Sequence, residues 1–357
     1  MVKRNGPPII ILYGHKFNGN LWALYNQKLK NDSKYITFYL SMDKKYVEEL
    51  NGEGIKSLWT GSLSDLLIVA KSRMIITDHH PQLNFIFFVN PFIHFIDVWH
   101  GIPYKGYSEK HFDFLKKYGQ IWTNSKFMAD FYINKCKFRQ DMIKITGYGR
   151  TDCLINGSLN KPDILKKYKL ENYSNYVLIA TTWKQDDKNR LTTLFGMEPG
   201  ILYPLLNEFG INNDILFIIR SHLNDDNDYY KSTNNIKFMP YQKYPIAEEF
   251  LYLADALITD WSSIAFDYLV TKRPTIFLDV KAPFSEGFTY SSEFRYGPIV
   301  KSVDELFTNL KKYLNNKELF TSDYFSKILK TREFVYSGTD DGQSLNRYMS
   351  YIDEILD

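Results

Sequence analysis

Several short stretches of the chain carry side chains able to move a proton or hold a charge, and each follows an apolar, strand-like run. Trp99-His100-Gly101-Ile102-Pro103-Tyr104-Lys105 sets an imidazole and an ammonium on a turn that Gly101 lets bend and Pro103 stiffens. Histidine is well suited to accept a proton near neutrality, and the same residue equally reads as a hydrogen-bonded histidine in a tight turn. Gly147-Tyr148-Gly149-Arg150-Thr151-Asp152 suits a loop approaching an anion, or an Arg150–Asp152 staple at a domain exit. Arg220-Ser221-His222 places a cation and an imidazole where they can grip a diphosphate or open a polar loop. In Thr259-Asp260-Trp261-Ser262-Ser263 a strand passes into a helix headed by hydroxyls, which is either a phosphate cradle or an ordinary helix cap.

Metal chemistry finds little footing. Asp226-Asn227-Asp228 has the Asp-x-Asp form of a metal site but sits in a polar run that reads more simply as a solvated turn. His79 and His80 are adjacent and poorly placed to chelate one ion. We expect no metal and no cofactor. Walker A, Gly-x-Gly-x-x-Gly and Gly-x-Ser-x-Gly patterns are missing, which argues against P-loop, simple dinucleotide and esterase chemistry. Cys136 and Cys153 are the only cysteines, so a disulfide framework is excluded and a reducing, cytoplasmic compartment is expected.

The elements that must position these groups follow from the apolar pattern. Runs at Ile9–Tyr13, Ile36–Leu40, Met74–Thr77, Phe95–Trp99, Ile121–Thr123 and Ile143–Thr146 alternate with helical spacing, as in a parallel sheet wrapped by helices. A second series, Val177–Thr181, Ile215–Ile219, Ile236–Met239, Ala256–Thr259 and Thr275–Leu278, begins after a polar, lysine-rich stretch. The chain has 357 residues, too many for one hydrophobic core, so the reading is two domains. We place a Rossmann-like domain at 1–160, a second at 161–335, and a C-terminal helix at 336–357 packing back across both. Ligands of such sheets lie beyond the carboxyl ends of the strands.

A charge balance of 44 Lys and Arg against 41 Asp and Glu is too even to signal nucleic-acid binding. The run Ile9–Leu12 is too short for a signal-peptide core, and Phe85–Ile96 is too short and too broken to span a bilayer. With aromatics at 17% of the chain, the cluster Phe85, Phe87, Phe88, Phe92 and Phe95 reads either as core or as a membrane-contact surface.

Taken in order, these stretches resemble the CDP-glycerol glycerophosphotransferase family of teichoic-acid and capsule synthesis. The family's Trp-His-Gly-x-Pro-x-Lys is Trp99 to Lys105, and its Gly-x-Pro-Arg-x-Asp is approached by Gly147 to Asp152, with Gly149 in place of Pro. Its Thr-Trp-Arg appears as Thr182-Trp183-Lys184, its Arg-x-His as Arg220-Ser221-His222, and its Thr-Asp-Tyr-Ser-Ser as Thr259 to Ser263. Phe266-Asp267, Lys272-Arg273-Pro274, Gly297 to Val300, and Asp341-Gly342 with Arg347 complete the series.

The resemblance implies a GT-B-like α/β fold and transfer of glycerol phosphate from CDP-glycerol to a hydroxyl of a lipid-linked or polyol-phosphate acceptor, releasing CMP. It implies His100 as general base, with Arg220, His222, Ser262, Ser263, Asp260, Lys184 and Asp267 on the donor and its phosphates. Trp99, Gly101, Lys105, Arg150 and Asp152 are acceptor-side or structural. It implies work at the inner face of the cytoplasmic membrane by a peripherally associated protein. A CDP-ribitol or nucleotide-sugar transferase of the same fold is the alternative within enzymes; an inactive homologue that binds polymer or aids assembly is the alternative outside them.

Overall fold

Strand β1 (Ile9–Tyr13) is a run of isoleucine, leucine and tyrosine whose side chains are almost wholly buried, as a strand covered on both faces requires. Around it a parallel sheet adds β2 (Ile36–Ser41), β3 (Ser57–Trp59), β4 (Met74–Thr77), β5 (His94–Asp97), β6 (Gln120–Thr123) and β7 (Ile143–Ile145), in the order β3-β2-β1-β4-β5-β6-β7. A second parallel sheet is built from β8 (Asn175–Ile179), β9 (Ile215–Ile219), β10 (Ile236–Phe238), β11 (Ala256–Thr259), β12 (Thr275–Leu278) and β13 (Ile299–Val300), ordered β10-β9-β8-β11-β12-β13. The structure is a computed structural model and describes residues 6–79, 87–103, 109–182, 194–220, 232–282 and 294–357.

The chain divides into two compact units. The first holds the chain through Gly101, resumes before Glu109 up to Asp152 and takes it back at Tyr336; the second holds Ile102 and Pro103 together with Cys153–Val335. Each sheet begins in the middle and grows outward on both sides, the Rossmann-like pattern in which the strand order reverses beside the first strand. In the first unit that reversal lies between β1 and β4. Register there sets Tyr13 beside Thr77, and Thr77 beside Asp97, so three strands finish side by side.

Helices close each sheet with their apolar faces. In the second unit, Val303–Asn315 begins at Ser302, whose side chain accepts from the Glu305 amide, and buries Leu306, Leu310 and Tyr313. The last helix, Ser344–Leu356, belongs to the first unit: Leu345, Tyr348, Ile352 and Leu356 enter one core with Ile10, Leu12, Ile76 and Trp122. Gly149 makes this docking possible, because a Cβ there would lie 2.4 Å from Leu345 Cδ2.

Two expected strands stop two residues early. β5 ends at Asp97, where Val98 donates a last sheet bond to the Thr77 carbonyl and Trp99 then turns to φ 46°, a left-handed conformation that breaks the ladder. β8 ends at Ile179 before the turn that carries Thr182. The short edge strands β3 and β13 are additions that no apolar run announced.

Candidate active site

In the first unit the ends of β1, β4 and β5 bring His15, Asp78, His79 and His100 together. His100 Nδ1 lies 2.8 Å from the main-chain carbonyl oxygen of Asp78. A carbonyl only accepts, so Nδ1 carries the hydrogen and Nε2 is left with its lone pair. His79 stacks on this ring, centroids 4.2 Å apart and planes 11° from parallel, and its Nδ1 is 2.6 Å from the Asp78 side chain. One residue therefore holds both imidazoles, one by its carbonyl and the other by its carboxylate. His15 stands 6.2 Å from His79.

The backbone beneath His100 is clamped. Asn20, fully buried, donates from Nδ2 to the carbonyls of Val98 at 3.2 Å and Trp99 at 2.9 Å, and its Oδ1 accepts from the Arg150 amide at 3.2 Å. Arg150 in turn donates from Nη1 to the His100 carbonyl at 2.6 Å and lies over the Tyr148 ring. Asp97 accepts from the Trp99 amide at 3.1 Å, which helps hold that residue in its left-handed turn. Gly14 lets β1 end this close, because a side chain there would collide with the Asp78 carboxylate.

These surroundings set the charges. Loss of hydration pushes the pKa of His100 down to about 4, assisted by His79, although the residue as a whole is exposed. Its imidazole is neutral at pH 7. Burial works to lower His79 as well, but the Asp78 carboxylate more than offsets it, and the net displacement is upward. His15 is lowered by burial and by His79. Complete burial pushes Asp97 up to about 8, so it holds a proton at neutral pH.

Asp152 looks elsewhere. Its two oxygens accept from the amides of Ser344 at 3.2 Å and Leu345 at 2.8 Å, which caps the last helix. Arg347 grips Asp341 with two bonds of 2.8 Å and donates from Nε to the Thr146 carbonyl at 2.7 Å. Gly147 to Asp152 is thus divided between tasks: Arg150 serves the His100 turn, while Gly149 and Asp152 seat the C-terminal helix.

In the second unit Asp260, at the end of β11, accepts from the Thr182 amide and hydroxyl at 2.7 Å each and from the Trp261 amide at 2.6 Å. Burial raises its pKa against those bonds. Ser262 and Ser263 follow, part-exposed, ahead of the helix Ile264–Tyr268 on which Asp267 stands half-buried. Arg220 ends β9 and is buried over the Phe250 ring, with Nη1 donating to the Tyr244 carbonyl at 2.8 Å; burial lowers its pKa to about 10. Arg295 covers the Trp261 ring at 4.0 Å.

His100, Trp99, Gly101, Arg150, Asp152, Arg220, Asp260, Ser262, Ser263 and Asp267 are all among the described residues; Lys105, Lys184, His222 and the Asp226–Asp228 turn lie outside them. Sequence reasoning passed over Asn20, Asp78 and Asp97, and weighed His79 only as a metal ligand. The signal was available: Asp78-His79 directly follows the apolar run Met74–Thr77, at the same strand-end position that singled out His100.

A model of the family described as CDP-Glycerol:Poly(glycerophosphate) glycerophosphotransferase matches residues 7–354. This chain belongs to that family. It is 24% identical over 335 residues to the teichoic acid poly(glycerol phosphate) polymerase of Bacillus subtilis, covering 84% of this chain and 42% of that protein. It therefore spans less than half of that relative's length. It is 25% identical over 339 residues to the teichoic acid glycerol-phosphate transferase of Staphylococcus aureus, covering 84% of this chain and 82% of that one. The solved wall teichoic acid polymerase TagF superposes with a TM-score of 0.79 at 19% identity over 98% of this chain and 89% of that chain; a histidine variant of it soaked with CDPG gives 0.77 at 17% identity over 97% and 88%. At these identities the structural likeness concerns the fold, which is GT-B-like with two parallel-sheet α/β units.

Proposed function

We propose that the chain transfers glycerol phosphate from CDP-glycerol to a hydroxyl of a lipid-linked or polyol-phosphate acceptor and releases CMP. The observation that carries this reading is the bond from His100 Nδ1 to the Asp78 carbonyl, which leaves a neutral Nε2 as proton acceptor in a chain of the glycerophosphotransferase family. His100 Nε2 takes the proton as the acceptor oxygen attacks the phosphorus bearing glycerol; the new P–O bond forms as the bond to the CMP oxygen breaks. Such chemistry depends on positioning and charge neutralisation more than on a covalent intermediate.

The first unit serves the acceptor, and the second serves the donor. Ser262 and Ser263 offer hydroxyls to the diphosphate at the end of β11. Asp260 acts from below, ordering Thr182 and Trp261, and Arg220 supports the Met239–Tyr244 segment. His222 and Lys184 supply further positive charge, and Asp267 faces the ribose or stiffens the helix. Trp99, Gly101 and Arg150 shape the turn around the base, and Lys105 adds a positive charge for the acceptor.

The protein works at the inner face of the cell membrane. Among the described residues no helix is long and apolar enough to span a bilayer. What supports contact is a group of exposed apolar side chains in the first unit: Leu63 and Leu67 on the helix Leu63–Ala70, 76% and 55% exposed, and Val89 and Phe92, 86% and 63% exposed. Asn90 ties the two segments by donating to the Ala70 carbonyl at 3.1 Å. The aromatic cluster divides accordingly: Phe95 is core, Phe88 packs on it at 4.3 Å, Phe92 faces out, and Phe85 lies outside the described residues.

The test is a donor panel. The chain is incubated with CDP-glycerol, CDP-ribitol or a UDP-sugar and a synthetic lipid-phosphate acceptor, and the released nucleotide is read. CMP from CDP-glycerol is expected; UDP release, or CMP from CDP-ribitol alone, would overturn the donor assignment.

A further inference from the structure

His79 has a place in the site that neither the family resemblance nor the transfer reading uses. Its ring lies face to face with His100 at 4.2 Å, and its Nδ1 is anchored on the buried Asp78 carboxylate at 2.6 Å. Its Nε2 has no partner among the described residues. Its Nδ1–H donates to that carboxylate, so Nε2 becomes a donor when the ring takes up a proton, the form that the neighbouring Asp78 carboxylate favours.

We infer that His79 is a phosphate-binding residue: its Nε2–H, backed by Asp78 and standing against the base, receives the phosphate of a polyol-phosphate acceptor. The inference rests on the transfer reading above, in which His100 takes a proton from an acceptor hydroxyl. In a glycerol phosphate end group only a three-carbon backbone separates that hydroxyl from its phosphate. A hydroxyl at one imidazole therefore brings the phosphate to the ring beside it.

Electrostatics gives the arrangement a purpose. When His100 accepts the proton, a cation forms in stacked contact with a ring that Asp78 draws toward its own protonated form, which opposes the transfer. The other described charged and titratable groups around the pair do not remove that opposition. Asp78 is already committed to His79, Asp97 holds a proton, and Arg150 and Lys16 add positive charge while His15 is pushed toward the neutral form. An anion at His79 Nε2 does remove it. A phosphate-bearing acceptor thus makes His100 a better base than a neutral polyol can, and the site selects its acceptor through the proton it must move.

The experiment is a titration of the full-length chain labelled at its histidine ring nitrogens, which requires no turnover. Glycerol 3-phosphate, soluble dihexanoyl phosphatidylglycerol and plain glycerol are added separately and the ring signals of His79 and His100 followed. Saturable displacement of His79 by glycerol 3-phosphate identifies a free polyol phosphate as the ligand, and displacement by the phosphatidylglycerol alone identifies a lipid headgroup. In either case the His100 midpoint should rise on binding, and His79→Asn should bind about tenfold more weakly, as expected for loss of a charge-assisted hydrogen bond. No displacement by either phosphate ester, or equal displacement by glycerol, overturns the inference. Because the signal does not depend on CDP-glycerol, phosphate binding without CMP release would count against the transfer reading and leave the binding site standing.

Discussion

His100 donates its Nδ1 hydrogen to the main-chain carbonyl of Asp78 at 2.8 Å, and that bond decides which nitrogen is left to act as a base. The carbonyl belongs to the residue after β4, whereas His100 follows β5. The tautomer is therefore set by neighbouring strand ends.

The pH dependence carries a definite sign. With its folded pKa pushed down to about 4, below the ordinary 6.5, His100 binds fewer protons folded than unfolded between those values. Its contribution to stability is present above pH 6.5 and is lost as the pH falls through about 4. Urea unfolding of the native chain and His100→Ala across pH 4 to 7 should show the native chain losing more stability on acidification. Parallel curves would contradict the depressed pKa.

Asn20 is expected to matter as much to the fold as to the site. Its side chain donates to two carbonyls in the His100 turn and accepts from Arg150. Asn20→Ala removes all three of these bonds, at a cost of about 1–3 kcal/mol. A lowered midpoint of denaturation together with a reduced kcat is the expected outcome. An unaltered midpoint would show that other contacts hold the turn.

Asp152 tests the division of labour in the Gly147–Asp152 stretch. Asp152→Ala removes the cap of the helix Ser344–Leu356 and should destabilise the chain by about 1–2 kcal/mol. Hydrogen exchange should quicken first at Leu345 and the following amides. If exchange there stays slow, the apolar face of the helix suffices to seat it.

Much of this was legible in the sequence, for physical reasons that also mark where legibility ended. The apolar runs Ile9–Tyr13, Met74–Thr77, Ile215–Ile219, Ala256–Thr259 and Thr275–Leu278 are strands at those residues, because a strand covered on both faces must be apolar throughout. Ser57–Trp59 and Ile299–Val300 escaped notice because edge strands so short leave no periodic signature. His100 was visible through its turn, with Gly101 and Pro103 beside it. Asn20 was not, since nothing local to Gly19-Asn20-Leu21 tells that its amide reaches Val98 and Trp99 across the sheet. Asp152 and Arg347 belong to stretches that resemble family motifs, yet Asp152 caps the C-terminal helix, and Arg347 on that helix holds Asp341 and the Thr146 carbonyl.

The exposed apolar residues make a separate prediction about location. Leu67→Ser with Phe92→Ser should reduce sedimentation with anionic lipid vesicles while leaving the melting temperature near that of the native chain, because both side chains are already largely solvent-exposed. Phe88→Ser should instead lower stability, since that ring packs on Phe95 and Tyr118. Unchanged vesicle binding by the folded double variant would remove this surface from membrane contact.

The most direct test of the central claim compares the native chain with His100→Ala in one assay of acceptor-dependent CMP release from CDP-glycerol, with CDP-glycerol binding measured on the same preparations. We predict that the variant binds the donor as the native chain does and releases CMP about 10²- to 10⁴-fold more slowly, the usual contribution of a general base. Release by the folded variant at the native rate would contradict the account.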